Sequence, residues 1–396
     1  MNIQLTNQHG EAILTLSGRL DTAVSRETSA EIDKQLSSAG TINQLTVDIA
    51  DLDYISSSGL RILLTLAKRY EQFKIIEVSN KIYDVFNMTG FTKIMTIERA
   101  LRQLSTEGCE VIGIGGVGTV YRLDDDTIIK VFREGTTMDE VSKEISMSKE
   151  AFVMGMPTAI SYDVVKVGKQ YGLVYEMLHA KTLSDCIREA PERIDEFARQ
   201  YASLFRQMHE IHVPKDSSVP SAIDHEREQV LHIRRYFPQE SIGLLLQIVD
   251  AIPPGDSLLH LDLQAKNAMM QDGEIMLIDM GEMGYGHPLL DLAHAYSAMV
   301  LFVGEYEKTI GIPRELGNEL WNRAINYYFE GLPADVIEQR KKQIAVVACI
   351  RNFSWLALSD SFPESVINEC KALFNERVAS RRDEILDICK TFKEWQ

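Results

Sequence analysis

Asp262 lies in the run Leu259-His260-Leu261-Asp262-Leu263-Gln264-Ala265-Lys266-Asn267, an H-x-D-x-x-x-x-N pattern. A carboxylate there can accept the proton of an attacking hydroxyl, and an amide oxygen five residues on can hold a magnesium ion. Apolar neighbours on both sides (Leu258, Leu259, Ala268, Met269, Met270) place these polar groups in a buried setting, where polar side chains are costly without a task. His260 fits a structural histidine bonded to the loop backbone better than a base. The run Glu274-Ile275-Met276-Leu277-Ile278-Asp279 reads as a strand ending in an acid, Asp279, seventeen residues after Asp262. Asp279 is the expected bridge from magnesium to phosphate oxygens.

Two further clusters precede these. Gly113-Ile114-Gly115-Gly116-Val117-Gly118-Thr119-Val120 fits G-x-G-x-x-G-x-V, with Gly116 inside the pattern and Val120 closing it. Glycines at such a hairpin let backbone N–H groups approach triphosphate oxygens; a plain glycine-rich hairpin tip is the alternative that stays open. A strand, not a helix, follows the glycines, which disfavours a dinucleotide-binding fold. Lys130, twelve residues past Gly118 in Ile128-Ile129-Lys130-Val131, is placed to reach the α- and β-phosphates; a solvent-facing edge lysine is its bland counterpart. Such a lysine needs an acidic holder, and Glu144 in the helical run MDEVSKEISMSKEAFV is the first choice, with Glu150 next. Asp291, in His287-Pro288-Leu289-Leu290-Asp291-Leu292-Ala293, is expected to brace the catalytic loop; an ordinary first-turn helix acid fits equally well. The order and spacing of the four clusters carry the signal, since each alone is common.

The elements that must position these residues fall into two grammars. Strand candidates at 11–18, 43–52 and 73–79 alternate with helical runs at 25–38, 58–72 and 81–90, the pattern of a small α/β layer domain. Residues 100–108 read as a linker or a connecting helix. A strand–glycine loop–strand unit follows at 110–133 and a second strand pair at 164–178. From about 183 the chain is helical almost to its end, interrupted by a strand-and-loop island at 257–281. No repeat of fixed period and no low-complexity tract occurs.

The whole chain bounds the function classes. With 396 residues, 45% hydrophobic and 25% charged, it has material for two or three globular domains. The formal net charge of −17 argues against nonspecific binding to nucleic acid or an anionic membrane, both of which want a basic face. No basic, apolar leader opens the sequence and no run approaches the ~18 apolar residues of a membrane span. Cys109, Cys186, Cys349, Cys370 and Cys389 are odd in number and form no CxxC pair, as expected of reduced thiols in a cytoplasmic protein.

Residues 108–396 resemble the aminoglycoside phosphotransferase and choline kinase superfamily, relatives of the protein kinases. The resemblance is carried by HLDLQAKN and IDMGEMGYGHPLLDLA. It implies Asp262 as catalytic base, Asn267 and Asp279 as magnesium ligands, Lys130 paired with Glu144 as phosphate anchor, and Glu176-Met177-Leu178 as the hinge that holds adenine. Departures are also present. Gln264 stands where protein kinases have Lys, Met280-Gly281 follows Asp279 in place of Phe-Gly, and no Ala-Pro-Glu segment or activation loop is found, which disfavours protein-kinase activity. Residues 1–103 resemble a STAS domain, the fold of anti-sigma-factor antagonists, through Ser17-Gly18-Arg19-Leu20-Asp21 and Asp51-Leu52-Asp53-Tyr54-Ile55-Ser56-Ser57-Ser58-Gly59-Leu60-Arg61. By that resemblance Ser58, or else Ser57, is the site of regulatory phosphorylation. A phosphate at that helix start would face free N–H groups; simple helix capping by serine is the alternative.

The expected architecture is therefore an α/β domain with a mixed sheet and helices (1–103), then an α+β two-lobed protein-kinase-like domain with a largely helical C-lobe. Its small lobe is expected at 108–180 and its helical lobe at 181–396. The expected activity is ATP- and Mg2+-dependent phosphoryl transfer to the hydroxyl of a small molecule, whose pocket falls among the helices after 183 and around 290–360, with Asp291, Trp355 and Asp360 as candidate lining residues. Two other readings stand beside it. In one, the kinase-like domain phosphorylates a STAS serine and so switches an anti-sigma-factor-type partner; in the other, a nucleotide-binding pseudoenzyme sets STAS availability.

Overall fold

The computed structural model describes residues 1–271, 273–302, 305–358 and 363–395, and the candidate Asp360 lies outside the described residues. The chain divides into two compact units, Met1–Ser105 with Val164–Gly168, and Thr106–Asp163 with Lys169–Gln396.

The first unit runs β1 (Asn2–Gln8), β2 (Glu11–Leu20), α1 (Ser25–Ser38), β3 (Gln44–Asp48), β4 (Leu52–Ile55), α2 (Ser57–Arg69), β5 (Gln72–Val78), α3 (Asn80–Met88) and β6 (Thr96–Arg99). The sheet order is β1-β2-β3-β5-β6, with β4 added to β2. The β1–β2 hairpin is antiparallel; β2–β3, β2–β4, β3–β5 and β5–β6 are parallel. A parallel sheet needs crossover helices, which is why apolar strands such as β3 (QLTVD) alternate with one-sided helices. Helix α2 buries Leu60, Leu63 and Leu66 against that sheet, and Leu14, Leu16, Leu45, Val47 and Ile75 fill the other side of the same core. Residues 100–108 do not form a connecting helix. They hold the two-residue strand β7 (Arg102–Gln103), which pairs in parallel with Val165 and Lys166, a distant partner that local propensity cannot foresee.

From residue 106 the chain forms β8 (Glu110–Ile114), β9 (Gly118–Arg122), β10 (Thr127–Phe132), α4 (Met138–Val153), β11 (Ser161–Val167, whose residues from Val164 on belong to the first unit) and β12 (Gln170–Glu176). Within this unit the strands lie in the order β12-β10-β9-β8, so the glycine hairpin is the outer edge and the Lys130 strand is interior. Helix α4 starts on a capping box: Thr137 accepts from the Glu140 N–H while Glu140 reaches back to the Thr137 N–H.

After β13 (Lys181–Thr182) come α5 (Leu183–Glu189), α6 (Ile194–His209), α7 (Ala222–His232) and α8 (Gln239–Ala251). A strand island follows: β14 (Ser257–Leu259), β15 (Ala268–Gln271), β16 (Glu274–Leu277) and β17 (Gly284–Gly286). The chain ends in α9 (Pro288–Tyr296), α10 (Tyr306–Ile310), α11 (Arg314–Tyr328), α12 (Ala334–Ser354), α13 (Glu364–Arg377) and α14 (Arg382–Cys389). The apolar stripe of α6 (Phe197, Tyr201, Leu204, Phe205, Met208) packs into a core shared with α9 and α12. Antiparallel β15–β16 carries the loop between β14 and β15 on one side and the turn after β16 on the other. That pairing is what brings residues 262, 267 and 279 together. Among the described residues no helix is long and apolar enough to cross a membrane.

Candidate active site

Lys130 points from β10 into a cluster of acids. Its Nζ donates to Glu144 Oε1 at 2.8 Å and to Asp279 Oδ1 at 3.2 Å. The Tyr175 hydroxyl on β12 donates to the same Glu144 oxygen at 2.8 Å. Burial is the largest influence on the lysine and pushes its pKa down. The Asp279 and Glu144 carboxylates outweigh burial and hold it above its ordinary value, so the ammonium is a fixed charge. Burial, together with Glu144, likewise pushes the Tyr175 phenol far up and keeps it a neutral donor. Glu144 rather than Glu150 is thus the holder; Glu150 accepts from the Ser217 and Ser218 hydroxyls. Tyr175 was not singled out in the sequence, where it is one of two tyrosines in its strand.

Asp262 sits half-buried after β14, and Asn267 ties it down. Asn267 Nδ2 donates to the Asp262 carbonyl at 2.8 Å and to its Oδ2 at 3.0 Å, which leaves the Asn267 Oδ1 facing away from that pair as a free hard-oxygen donor. The Ile278 N–H donates to the Asn267 carbonyl at 3.0 Å, so the segment before Asp279 is stitched to the Asp262 loop. Burial, then the neighbouring Asp279 and Glu282 charges, raises the Asp262 carboxyl above its ordinary pKa, against the opposing pull of Arg351 and His260. Asp279 is exposed, with its carboxylate reachable from solvent. Leu261 (φ 64°) and Asp279 (φ 61°) both adopt left-handed backbone conformations, the kind of local strain that collects at working sites.

The loop is held from beneath. Asp291, fully buried on α9, accepts from the N–H groups of His260 (3.1 Å) and Leu261 (2.7 Å) and contacts His209 Nε2 at 3.1 Å. His209 Nδ1 in turn meets the Tyr328 hydroxyl at 2.8 Å. Asp291 is therefore a brace and does not line a substrate pocket, which corrects that part of the sequence expectation. His260 is structural too: its Nδ1 accepts from the Asp262 N–H, and its Nε2 lies 3.3 Å from the Ile278 carbonyl. Trp355 is half-buried and donates from its indole to the Asn352 carbonyl.

The glycine hairpin and the hinge are more selective than their sequences suggest. A side chain on Gly118 would put its Cβ 2.3 Å from the Val131 carbonyl oxygen of β10, so this glycine is required by the sheet itself. Gly116 has nothing within 4 Å, and Gly113 and Gly115 would meet only ordinary contacts at 3.6 Å (Val120) and 3.8 Å (the Gly118 carbonyl). Along the candidate hinge, the Glu176 N–H donates to the Ile160 carbonyl and the Met177 N–H to the Asp126 carbonyl. Among the described residues the Leu178 N–H alone of the three carries no such bond. In the first unit, Ser56 caps α2: its Oγ accepts from the Gly59 N–H at 3.3 Å and donates to the Leu20 carbonyl at 3.2 Å. Ser57 and Ser58 occupy the first turn, Ser57 exposed and Ser58 half-buried, with no side-chain capping role.

Comparison with known proteins finds relatives for both parts of the chain. The STAS domain family matches residues 2–104, and the phosphotransferase enzyme family matches residues 109–322. BtrV of Bordetella bronchiseptica, which carries the name of an anti-sigma factor antagonist, is 29% identical over 101 residues, 24% of this chain and 85% of its own. Among solved structures, the ADP-bound aminoglycoside phosphotransferase APH(2'')-Ib is 14% identical with a TM-score of 0.45, covering 79% of this chain and 99% of its own. A choline/ethanolamine kinase family protein from Mesorhizobium loti is 15% identical with a TM-score of 0.45, covering 71% and 92%. The match over residues 109–322 spans more than half of the chain, and the chain belongs to the phosphotransferase enzyme family, with a STAS domain ahead of it.

Proposed function

We propose that the second unit transfers the γ-phosphoryl group of ATP, with Mg2+, to a hydroxyl of a small molecule. The observation that carries this reading is the joining of Lys130 to Glu144 and Asp279 at 2.8–3.2 Å and of Asn267 to Asp262 at 3.0 Å, with the Ile278 N–H bond to the Asn267 carbonyl tying the two sets together. Asp262 accepts the proton of the acceptor hydroxyl as its oxygen bonds to the γ-phosphorus, and the bond to the ADP oxygen breaks. A carboxyl with a raised pKa is the better base for such a proton. Lys130, pinned by Glu144, supplies fixed positive charge to the phosphates, and the Leu178 N–H is the hinge donor left for the purine. Glu176 and Met177 then contribute to the hinge through carbonyl oxygens and shape, and Gly113, Gly115, Gly116, Gly118 and Val120 cover the phosphates.

The donor set suits Mg2+: the exposed Asp279 carboxylate and the free Asn267 Oδ1 are hard oxygens, and this ion commonly takes one or two protein oxygens together with phosphates. When bound, the ion neutralises charge on the transferring phosphoryl group. We assign residues 1–103 as the regulatory STAS domain and 108–396 as the catalytic domain.

The test is ATP consumption by the purified full-length chain with Mg2+, against a panel of aminoglycosides, choline, amino alcohols and sugars. Consumption that depends on both the acceptor and Asp262 is the expected result; a panel without acceptor dependence counts against a small-molecule substrate. A second reading draws on Ser57 and Ser58, whose hydroxyls lie in the first turn of α2 and do not cap it. Phosphate found by mass spectrometry on either serine after incubation with Mg-ATP moves the protein into signalling, with an anti-sigma-factor-type partner as the reader.

A further inference from the structure

Helix α9 grips the backbone of Leu261 from both sides. Asp291 takes its N–H at 2.7 Å, and one turn later His294 Nδ1 lies 2.7 Å from its carbonyl oxygen. Leu261 needs the grip, because a leucine at φ 64° is held against its own backbone preference. It is also the residue immediately before Asp262. Asp291 belongs to a sequence motif, whereas His294 belongs to none.

The far side of the His294 ring is unusual. Its Nε2 lies 2.8 Å from Glu226 Oε1 on α7, and the Glu226 side chain has no solvent exposure. Neither Glu226 oxygen completes a well-aligned hydrogen bond among the described residues, and the His294 ring is its close polar neighbour. To donate to the Leu261 carbonyl, Nδ1 must carry a proton. A bare Nε2 lone pair set against a carboxylate at that distance would repel it. A single proton shared between Nε2 and Glu226 would relieve that repulsion. Burial opposes charge on Glu226, yet His294 on α9, with Arg351 on α12 and His225 on α7, holds its carboxyl below the ordinary pKa. A buried pair of this kind contributes little to stability compared with apolar side chains of the same volume, which favours another role.

We propose that Glu226 and His294 are positioning residues for Asp262: the proton they share keeps the His294 Nδ1–H on the Leu261 carbonyl and holds the left-handed turn that aims the Asp262 carboxylate. This rests on Asp262 being the base, and its test does not need turnover.

In the full-length protein, nitrogen NMR of the His294 ring should show both ring nitrogens protonated, and Glu226→Gln should remove the proton from Nε2. Amide exchange in residues 259–263 should quicken roughly tenfold in Glu226→Gln and His294→Ala, the size expected for one lost buried hydrogen bond. Exchange in α6 should stay unchanged, and His294→Asn, which restores a donor near the Nδ1 position, should recover most of the loop protection. In Mg-ATP turnover, kcat should fall roughly ten- to hundredfold with an unchanged KM for ATP, as for a misaimed base. A singly protonated ring with unchanged loop exchange in Glu226→Gln overturns the proposal. So does faster exchange throughout the unit, which marks a merely structural pair. Wild-type protein that consumes no ATP defeats the phosphotransfer reading alone, and the NMR and exchange results still decide the role of the pair. Should His294→Ala not fold, Glu226→Gln and His294→Asn carry the test.

Discussion

At the scale of single residues, Asp262 combines two demands that conflict. A base for a hydroxyl proton wants a raised pKa, and burial, then Asp279 and Glu282, provide it. The same shift makes the ionised carboxylate costly to the fold. With the native pKa above that of the unfolded chain, the native state binds the proton more tightly, so stability contributed by this group is full at low pH. It falls as pH rises through the interval between the unfolded value near 3.8 and the raised native one. Two outcomes follow. The acid limb of kcat/KM should lie above the ordinary aspartate range, because the base works only when ionised. Asp262→Asn should abolish turnover, leave ATP binding nearly intact, and raise the melting temperature at pH 7–8 by on the order of 2 °C. A lower melting temperature in Asp262→Asn, or an acid limb at the free-aspartate value, would show that the carboxylate is not under this electrostatic load.

At the scale of elements, the glycine hairpin separates two reasons for having glycine. Gly118 packs against β10, where a Cβ would sit 2.3 Å from the Val131 oxygen. Gly118→Ala should therefore push β9 off β10, displace the Lys130 strand, and cost roughly 1–3 kcal/mol as overpacking does, together with a large loss of ATP affinity. Gly116→Ala meets nothing within 4 Å and should leave the melting temperature within about 1 °C of wild type, so any rise it causes in KM for ATP reads out phosphate access alone. Calorimetry and ATP titration on the pair check this, and equal destabilisation by both would refute it. The same contrast explains what was legible beforehand. Gly118, Lys130, Asp262, Asn267 and Asp279 lie in contiguous patterns whose spacing records one loop or one strand. Tyr175, Glu226, His294 and Arg351 come from separate elements and meet only through packing, so no local spacing marks them. Strand β1 (NIQLTNQ) was missed because its inward face offers only Ile3 and Leu5 before the polar Asn7, too short an alternation to mark a strand, and β7 because two residues pair with a partner about sixty positions away. Ser56 as the cap of α2 is decided by the bond to the Gly59 N–H, which three consecutive serines cannot reveal.

At the scale of the whole molecule, apolar side chains gather in separate cores. One draws on residues between Ala12 and Phe86, the other on residues between Met147 and Phe392, and no buried side chain belongs to both. Each core can support its own cooperative transition, because cooperativity follows shared burial. The residues proposed to serve the nucleotide, by contrast, all fall in the second unit: Lys130, Glu144, Asp262, Asn267 and Asp279 lie outside Met1–Ser105 and outside Val164–Gly168. A ligand stabilises only the state that binds it, by about 2.7 kcal/mol at a free concentration one hundred times its Kd. Scanning calorimetry of the full chain should accordingly resolve two transitions, with saturating Mg-ATP raising the larger by roughly 5–10 °C and leaving the smaller in place. Asp279→Ala should remove the Mg2+-dependent part of that shift while sparing the smaller transition. A single transition that moves as one with Mg-ATP would mean that nucleotide energy reaches the STAS domain, and a shift confined to the smaller transition would relocate the nucleotide site altogether.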